Sequence, residues 1–185
     1  MRVKSDDCVL LVIDVQDRLI DTIYQSKELV RNIKAMIQTA KVLNVPILVT
    51  EQEKLGVTVA DLEKSLANIP KVRKLTFSGC GNPEFVKNLE KSAKKTVAVC
   101  DIEAHICVLQ TVLDLLDSGY KVVIPVDAVS AYATIDKEVA MSRMREAGAE
   151  TATVESLIYE WLEKAGTDEF RRVLQIVKEK RGVAA

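Results

Sequence analysis

Six short apolar runs, each followed by a stretch with helical periodicity or a loop, most limit what this chain can become. The first, CVLLVI at 8–13, is apolar at every position, which suits a strand covered on both faces rather than one with a wet side. Similar runs fall at 47–50, 97–100, 121–126 and 149–154, with a weaker one at 71–75. Between them the spacing predicts a helix capped by Ser26, with Leu29, Val30, Ile33, Ile37, Ala40 and Leu43 on one face. Further helices are predicted at 61–67, from Asn82–Pro83 (Asn as cap, Pro in the first turn), from near Cys107, at 136–147 before Gly148, at 156–164 and at 167–181. Alternation of this kind predicts an α/β chain: three layers, a Rossmann-like six-stranded parallel sheet with helices on both faces, and right-handed crossovers. With 185 residues and no linker or repeat, 1–185 reads as a single domain.

Open parallel sheets bind ligands where the strand order reverses. If the order is 3-2-1-4-5-6, strands one and four are the central neighbours. Asp14 ends strand one, Cys107 follows strand four at a strand-to-helix corner, and Lys74 lies near the end of strand three. A nucleophilic thiol needs a base to take its proton and a positive charge to steady the thiolate, and Asp14 and Lys74 are of those two chemical types. Several other chemistries are excluded. The turn after strand one reads DVQDR at 14–18 with no glycine, so pyrophosphate has no backbone to approach, and neither a P-loop nor a G-x-S-x-G elbow occurs. With 26 basic and 27 acidic residues and a net charge of -1, nucleic acid is not an expected partner. The single histidine, His105, cannot build a His-rich zinc site, and no metal or cofactor is expected. Four cysteines without CxxC spacing do not form a disulfide framework. The apolar run 8–13 is too short for a membrane span or a signal core, so a cytoplasmic location is expected.

Four pieces, in order, sharpen this picture: LVIDVQ at 11–16, VTEQ at 49–52, KLTFS at 74–78 and IEAHICV at 102–108. Together they resemble the isochorismatase-like cysteine hydrolases, a family that includes nicotinamidases and carbamoyl-amide hydrolases. The resemblance implies catalysis by Asp14, Lys74 and Cys107, with a cis peptide at Ile102–Glu103 that turns the Glu103 N–H toward the Cys107 N–H as an oxyanion hole. It places Glu51, Gln52, Phe77, Ile102, His105 and Ile106 around the pocket. It also implies a homo-oligomer acting on a small molecule. Metal-dependent members carry an Asp-x-His pair after strand two, where this chain has Thr50–Glu51–Gln52, and true isochorismatases lack the cysteine. What the resemblance leaves is a metal-free hydrolase of an amide or other C–N bond, working through a thioester.

Other readings of the same residues stand beside it. Cys107 also fits a buried structural cysteine, Asp14 a loop cap and Lys74 a solvated strand end. The chain could be a binding or scaffold protein of this fold, or a redox-active thiol protein pairing Cys107 with Cys80 or with small-molecule thiols. Helical geometry turns residues two apart away from one another, so His105 is expected at the pocket rim or facing solvent rather than as the base for Cys107. Cys8 and Cys100 lie within apolar runs and read as core, and Trp161 as packing or interface.

Overall fold

The computed structural model describes residues 2–183. Six strands form one parallel sheet: β1 (Cys8–Ile13), β2 (Ile47–Gln52), β3 (Lys71–Lys74), β4 (Thr96–Asp101), β5 (Lys121–Pro125) and β6 (Glu150–Ala152). Their order is β3-β2-β1-β4-β5-β6, with β1 and β4 central. Helices α1 (Asp17–Ile20), α2 (Ser26–Val42), α3 (Ala60–Leu66), α4 (Pro83–Ser92), α5 (Leu109–Asp117), α6 (Thr134–Glu146), α7 (Val154–Leu162) and α8 (Asp168–Lys180) complete the layers.

Strand alternation sorts the core into two halves, because successive side chains point to opposite faces. Cys8, Leu10 and Val12 of β1 and Ala98 and Cys100 of β4 pack against α2, α3, α7 and α8. Val9, Leu11 and Ile13 with Val97 and Val99 pack against α4, α5 and α6. Residue parity on β1 and β4 therefore says which layer a side chain enters. Trp161 is buried on the α2 face, and Val173 and Val177 bring α8 onto the same layer.

Element ends differ from the periodicity in ways tertiary contacts explain. β2 continues to Gln52 because Glu51 and Gln52 stay in register with Arg73 and Lys74 of β3. Ser26 is the first helical residue rather than the cap. Gln25 fills that place in a left-handed conformation, and its carbonyl accepts the N–H groups of Glu28 and Leu29. α7 begins at Val154, two residues early, since Thr153 and Ser156 cap each other reciprocally. Asn82 and Pro83 open α4 as the pattern predicts, Asn82 accepting the N–H of Glu84 and of Phe85.

The buried thiols make stability depend on alkaline pH. Burial pushes Cys8 from 9.0 up to about 12, and Cys100, fully enclosed, is also pushed up by burial and by Asp127 and Asp101. The folded chain therefore keeps protons that the unfolded chain sheds above about pH 9, so stability is lost as pH rises through that region. Each such thiol contributes a slope of up to about 1.4 kcal/mol per pH unit. Urea unfolding at about pH 8 and pH 10 should show the loss, with a shallower slope in Cys100→Ala; equal slopes in the two proteins would contradict it.

Candidate active site

The end of β1 sets the first group. Asp14 follows the last strand residue with φ +47°, a left-handed conformation that Asp tolerates better than bulky residues. Its N–H donates to the Thr50 carbonyl at 3.1 Å, and the Thr50 hydroxyl donates to Asp14 Oδ1 at 2.8 Å. Asp14 Oδ2 lies 2.6 Å from Lys74 Nζ, and both side chains are almost completely shielded from water.

Lys74 comes from the end of β3, on the same sheet face as Thr50 and Gln52. Its ammonium donates to Gln52 Oε1 at 2.8 Å, to the Phe77 carbonyl at 3.0 Å and to the Thr76 carbonyl at 3.2 Å. An ammonium has three protons. With Asp14 included, four oxygens already surround it, so its charge is spent inside the protein. Cys107 Sγ sits 3.6 Å away, within reach of the field.

Cys107 stands in a wide π turn, Ala104–Val108, that precedes α5 rather than in a regular first helical turn. Only 5% of the residue is exposed. Burial, then the nearby Asp101 and Asp14 carboxyls, push its thiol well above the usual range, while Lys74 pulls it down. The resting group is a neutral thiol facing a carboxylate. Thr111, one turn on, fixes it: its hydroxyl donates to the Cys107 carbonyl at 2.6 Å and accepts the Gly79 N–H at 2.9 Å. Ser78 likewise donates to Asp114 at 2.5 Å, so the loop after β3 is bolted to α5. Thr111→Val leaves the Gly79 N–H and the Cys107 carbonyl without this partner and should cost about 1–3 kcal/mol. Urea unfolding measures the cost, and unchanged stability would show that the hydroxyl is not the tie.

Asp14, Lys74 and Cys107, distant in sequence, are thus brought within bonding distance of one another. Gln52 belongs to the cluster as a ligand of Lys74 and also donates to the Leu75 carbonyl at 2.9 Å. Gln16, fully buried, braces the edge by donating to the Gln52 and Gly56 carbonyls and accepting the Gln52 N–H. Phe77 is 54% exposed, and its carbonyl is the part that reaches Lys74. Ile106 is half-buried against the α5 layer, and His105, also half-buried, has Nε2 3.9 Å from Asp136 Oδ2.

Three expectations need correction. Glu51 does not join the pocket. It precedes Gln52 on a strand, so its side chain points to the opposite face, accepting from the Thr58 hydroxyl at 2.7 Å and N–H at 3.1 Å, with Lys71 at 3.5 Å. Burial opposes its ionisation, but Thr58 and Lys71 outweigh that and hold its carboxyl below the usual range. It lines a separate hollow of about 800 Å³ with Val57, Thr58 and Lys71. Ile102 is fully buried in the cluster on the α2 face and is core. The Ile102–Glu103 peptide is trans, as is every peptide among the described residues. The corner is shaped instead by the Asp101 carboxyl, which accepts the Ile102 N–H and faces the N–H of Glu103.

Asp101, Thr50, Thr111 and Gln16 are site residues that periodicity alone does not single out. Parity is the available signal for Asp101: it continues the series Val97, Val99 on β4, on the face that carries Lys74 and Cys107. Among the described residues no three of His, Cys, Asp and Glu are grouped to hold a metal ion.

A carboxylate, a lysine and a thiol gathered at one end of a parallel sheet of this order fit the isochorismatase fold, a class of hydrolases. Residues 8–156 match the isochorismatase domain, and the chain belongs to the isochorismatase family. It is similar to the secreted isochorismatase effector Isc1 of Phytophthora sojae, 39% identical over 96% of this chain and 88% of that protein. The structure of MAR1 ribonuclease from Caenorhabditis elegans superposes with a TM-score of 0.90 at 34% identity, covering 96% of this chain and 92% of that one. YcaC from Escherichia coli, described as an octameric hydrolase of unknown specificity, shares the fold with a TM-score of 0.90 at 21% identity over 98% and 94% of the two chains.

Proposed function

We propose that the chain, 1–185 acting as one domain, is a cysteine hydrolase that cleaves an amide or other C–N bond of a small molecule through a thioester at Cys107. The observation that carries this reading is the shielded contact of Asp14 Oδ2 with Lys74 Nζ at 2.6 Å, with Cys107 Sγ 3.6 Å from the same ammonium. Asp14 takes the thiol proton as sulfur attacks the carbonyl carbon, then gives it to the leaving amine as the C–N bond breaks. Water attacks the thioester, Asp14 accepts its proton, and the C–S bond breaks with the proton returned to sulfur. Lys74 pairs with Asp14 and steadies the thiolate as it forms. The Cys107 N–H supplies a donor to the oxyanion. The Glu103 N–H, expected as the second donor, faces the Asp101 carboxyl in this structure. No cofactor enters any step.

The substrate we favour is uncharged at the reacting carbonyl, because Lys74 is saturated by protein oxygens and offers no proton to a carboxylate. The exposed Phe77 and Leu75 side chains suit an apolar flank on such a molecule. They also support a homo-oligomer, together with Tyr132 and Ile135 exposed after β5. The name ribonuclease belongs to the worm protein; a net charge of -1 does not favour RNA here. Four unpaired thiols support a reducing, cytoplasmic setting. Among the described residues no helix is long and apolar enough to cross a membrane.

The test is intact-mass spectrometry on protein quenched during turnover of a panel of small primary amides. An acyl adduct on Cys107 is the expected result. Turnover that continues undiminished in Cys107→Ala would overturn the reading.

A further inference from the structure

The site contains a second carboxyl that the mechanism above does not use. Asp101, the last residue of β4, is fully buried and pairs in register with Ile13, the residue before Asp14. Its N–H donates to the Ala128 carbonyl at 3.0 Å, which pins the backbone. One carboxyl oxygen, Oδ1, accepts the Ile102 N–H, while Oδ2 is enclosed and has no hydrogen-bond partner. Buried polar atoms are nearly always paired, so an orphan beside a reactive thiol calls for an explanation.

Charge balance supplies one. Lys74 is the cation at this point, and Asp14 already neutralises it at 2.6 Å. An ionised Asp101 would leave a buried negative charge that Lys74 does not match, met by backbone N–H groups alone, a heavy penalty in surroundings of low polarity. A protonated Asp101 removes the charge penalty: Oδ1 remains the acceptor for Ile102, and Oδ2 carries the proton. Two carboxyls near one another commonly settle this way, one ionised and one neutral. Burial first, and then the charge on Asp14, both push the Asp101 carboxyl well above the ordinary carboxylate range, against the opposing effects of the Ile102 N–H, Lys74 and the Glu103 N–H.

We propose that Asp101 is a positioning residue that works as a neutral carboxylic acid, holding a proton on Oδ2 so that the thiolate of Cys107 forms beside one ammonium with no second fixed anion. Its part in the reaction rests on the hydrolase reading; its protonation does not. At rest the four groups are Asp14 ionised, Lys74 charged, Cys107 a thiol and Asp101 an acid, and the pocket is neutral. Moving the thiol proton to Asp14 keeps it neutral. Ionising Asp101 makes it negative, and thiolate formation is then opposed. The titratable groups that face Asp101 are Asp14 from β1, Lys74 from β3 and Cys107 from the π turn. Glu103 of its own corner is half-buried beside it, and the loop after β5 presents Ala128 and Val129. Activity should therefore fall as pH rises through the Asp101 ionisation.

The experiment compares the full chain with Asp101→Asn, which keeps an acceptor for Ile102 and stays neutral at every pH. Infrared spectra of aspartate-labelled protein near neutral pH should show a protonated-carboxyl band in the wild type that is absent from the variant. A second readout is the rate of Cys107 alkylation by iodoacetamide, followed by mass spectrometry against pH. The variant should match the wild type within about twofold near pH 7 and outpace it by about tenfold once Asp101 ionises, the effect of one pKa unit on a thiol. An Asp101→Asn protein already tenfold faster at neutral pH, or a wild type without the protonated band, would overturn the proposal. If Asp101→Asn does not fold, the aspartate band of the wild type alone decides, since it must be present at neutral pH and titrate away under alkali. Neither readout needs turnover, so a missing acyl adduct would end the hydrolase reading and leave the state of Asp101 decided separately.

Discussion

Cys107→Ala is expected to reduce hydrolysis of any amide the wild-type chain turns over by about 10⁴- to 10⁶-fold in kcat, to the level of positioning alone. The size follows from what the side chain does in the proposed mechanism. Sulfur forms the bond that splits one hard step into two, and no neighbouring group can take its place. Lys74 is saturated, and Asp14 is held by Thr50 and Lys74. The fold should survive the change, because the residue removed is small and the π turn is held through its backbone by Thr111. Steady-state kinetics on a substrate from the amide panel, with circular dichroism as a folding control, measure it. A folded Cys107→Ala protein retaining more than about a hundredth of the activity would mean that the thiol is not the nucleophile.

The largest expected effect on stability lies at Lys74. Lys74→Met removes the ammonium and leaves the Asp14 carboxylate buried without its partner, which typically costs about 3–5 kcal/mol. Three further acceptors lose their donor at the same time: Gln52 Oε1 and the Thr76 and Phe77 carbonyls. Adding Asp14→Asn should recover part of the loss, since the orphaned charge is then gone, while activity stays at background in both variants. Denaturant unfolding of the two single variants and the double variant gives the coupling directly. A Lys74→Met protein within about 1 kcal/mol of wild type would show that the pair is far more hydrated than its geometry implies.

The sheet is legible in the amino-acid sequence because it is written in local patterns, and the resemblance singles out Asp14, Lys74 and Cys107, which the fold does bring together. Apolar runs of strand length mark each strand, and polar residues at their ends mark the edge where Asp14 and Lys74 stand. The misplaced residues share one cause, a strand ended too early. Taking β2 to stop at Thr50 puts Glu51 in a loop and hence near the pocket; extending it to Gln52 brings alternation to bear and sends Glu51 to the far face. Taking β4 to stop at Cys100 makes Asp101 a corner residue and hides its place beside Val97 and Val99 on the reactive face. The π turn has no local signal at all. It is held from a distance, by Thr111 on the next helix and Gly79 on another loop. Ile102 misleads for a related reason: one step past Asp101, its side chain falls on the other layer.

The two carbonyls that Thr76 and Phe77 lend to the Lys74 ammonium tie the rim of the pocket to its electrostatics. The path of that loop cannot be redrawn without also undressing the cation beneath it. Side chains at its surface, Phe77 and Leu75 among them, remain free to change because only their backbone is anchored. Under the proposed mechanism, new substrate preferences can be acquired by repainting that surface, whereas insertions or deletions between 75 and 78 would strip Lys74 of the carbonyls that hold it.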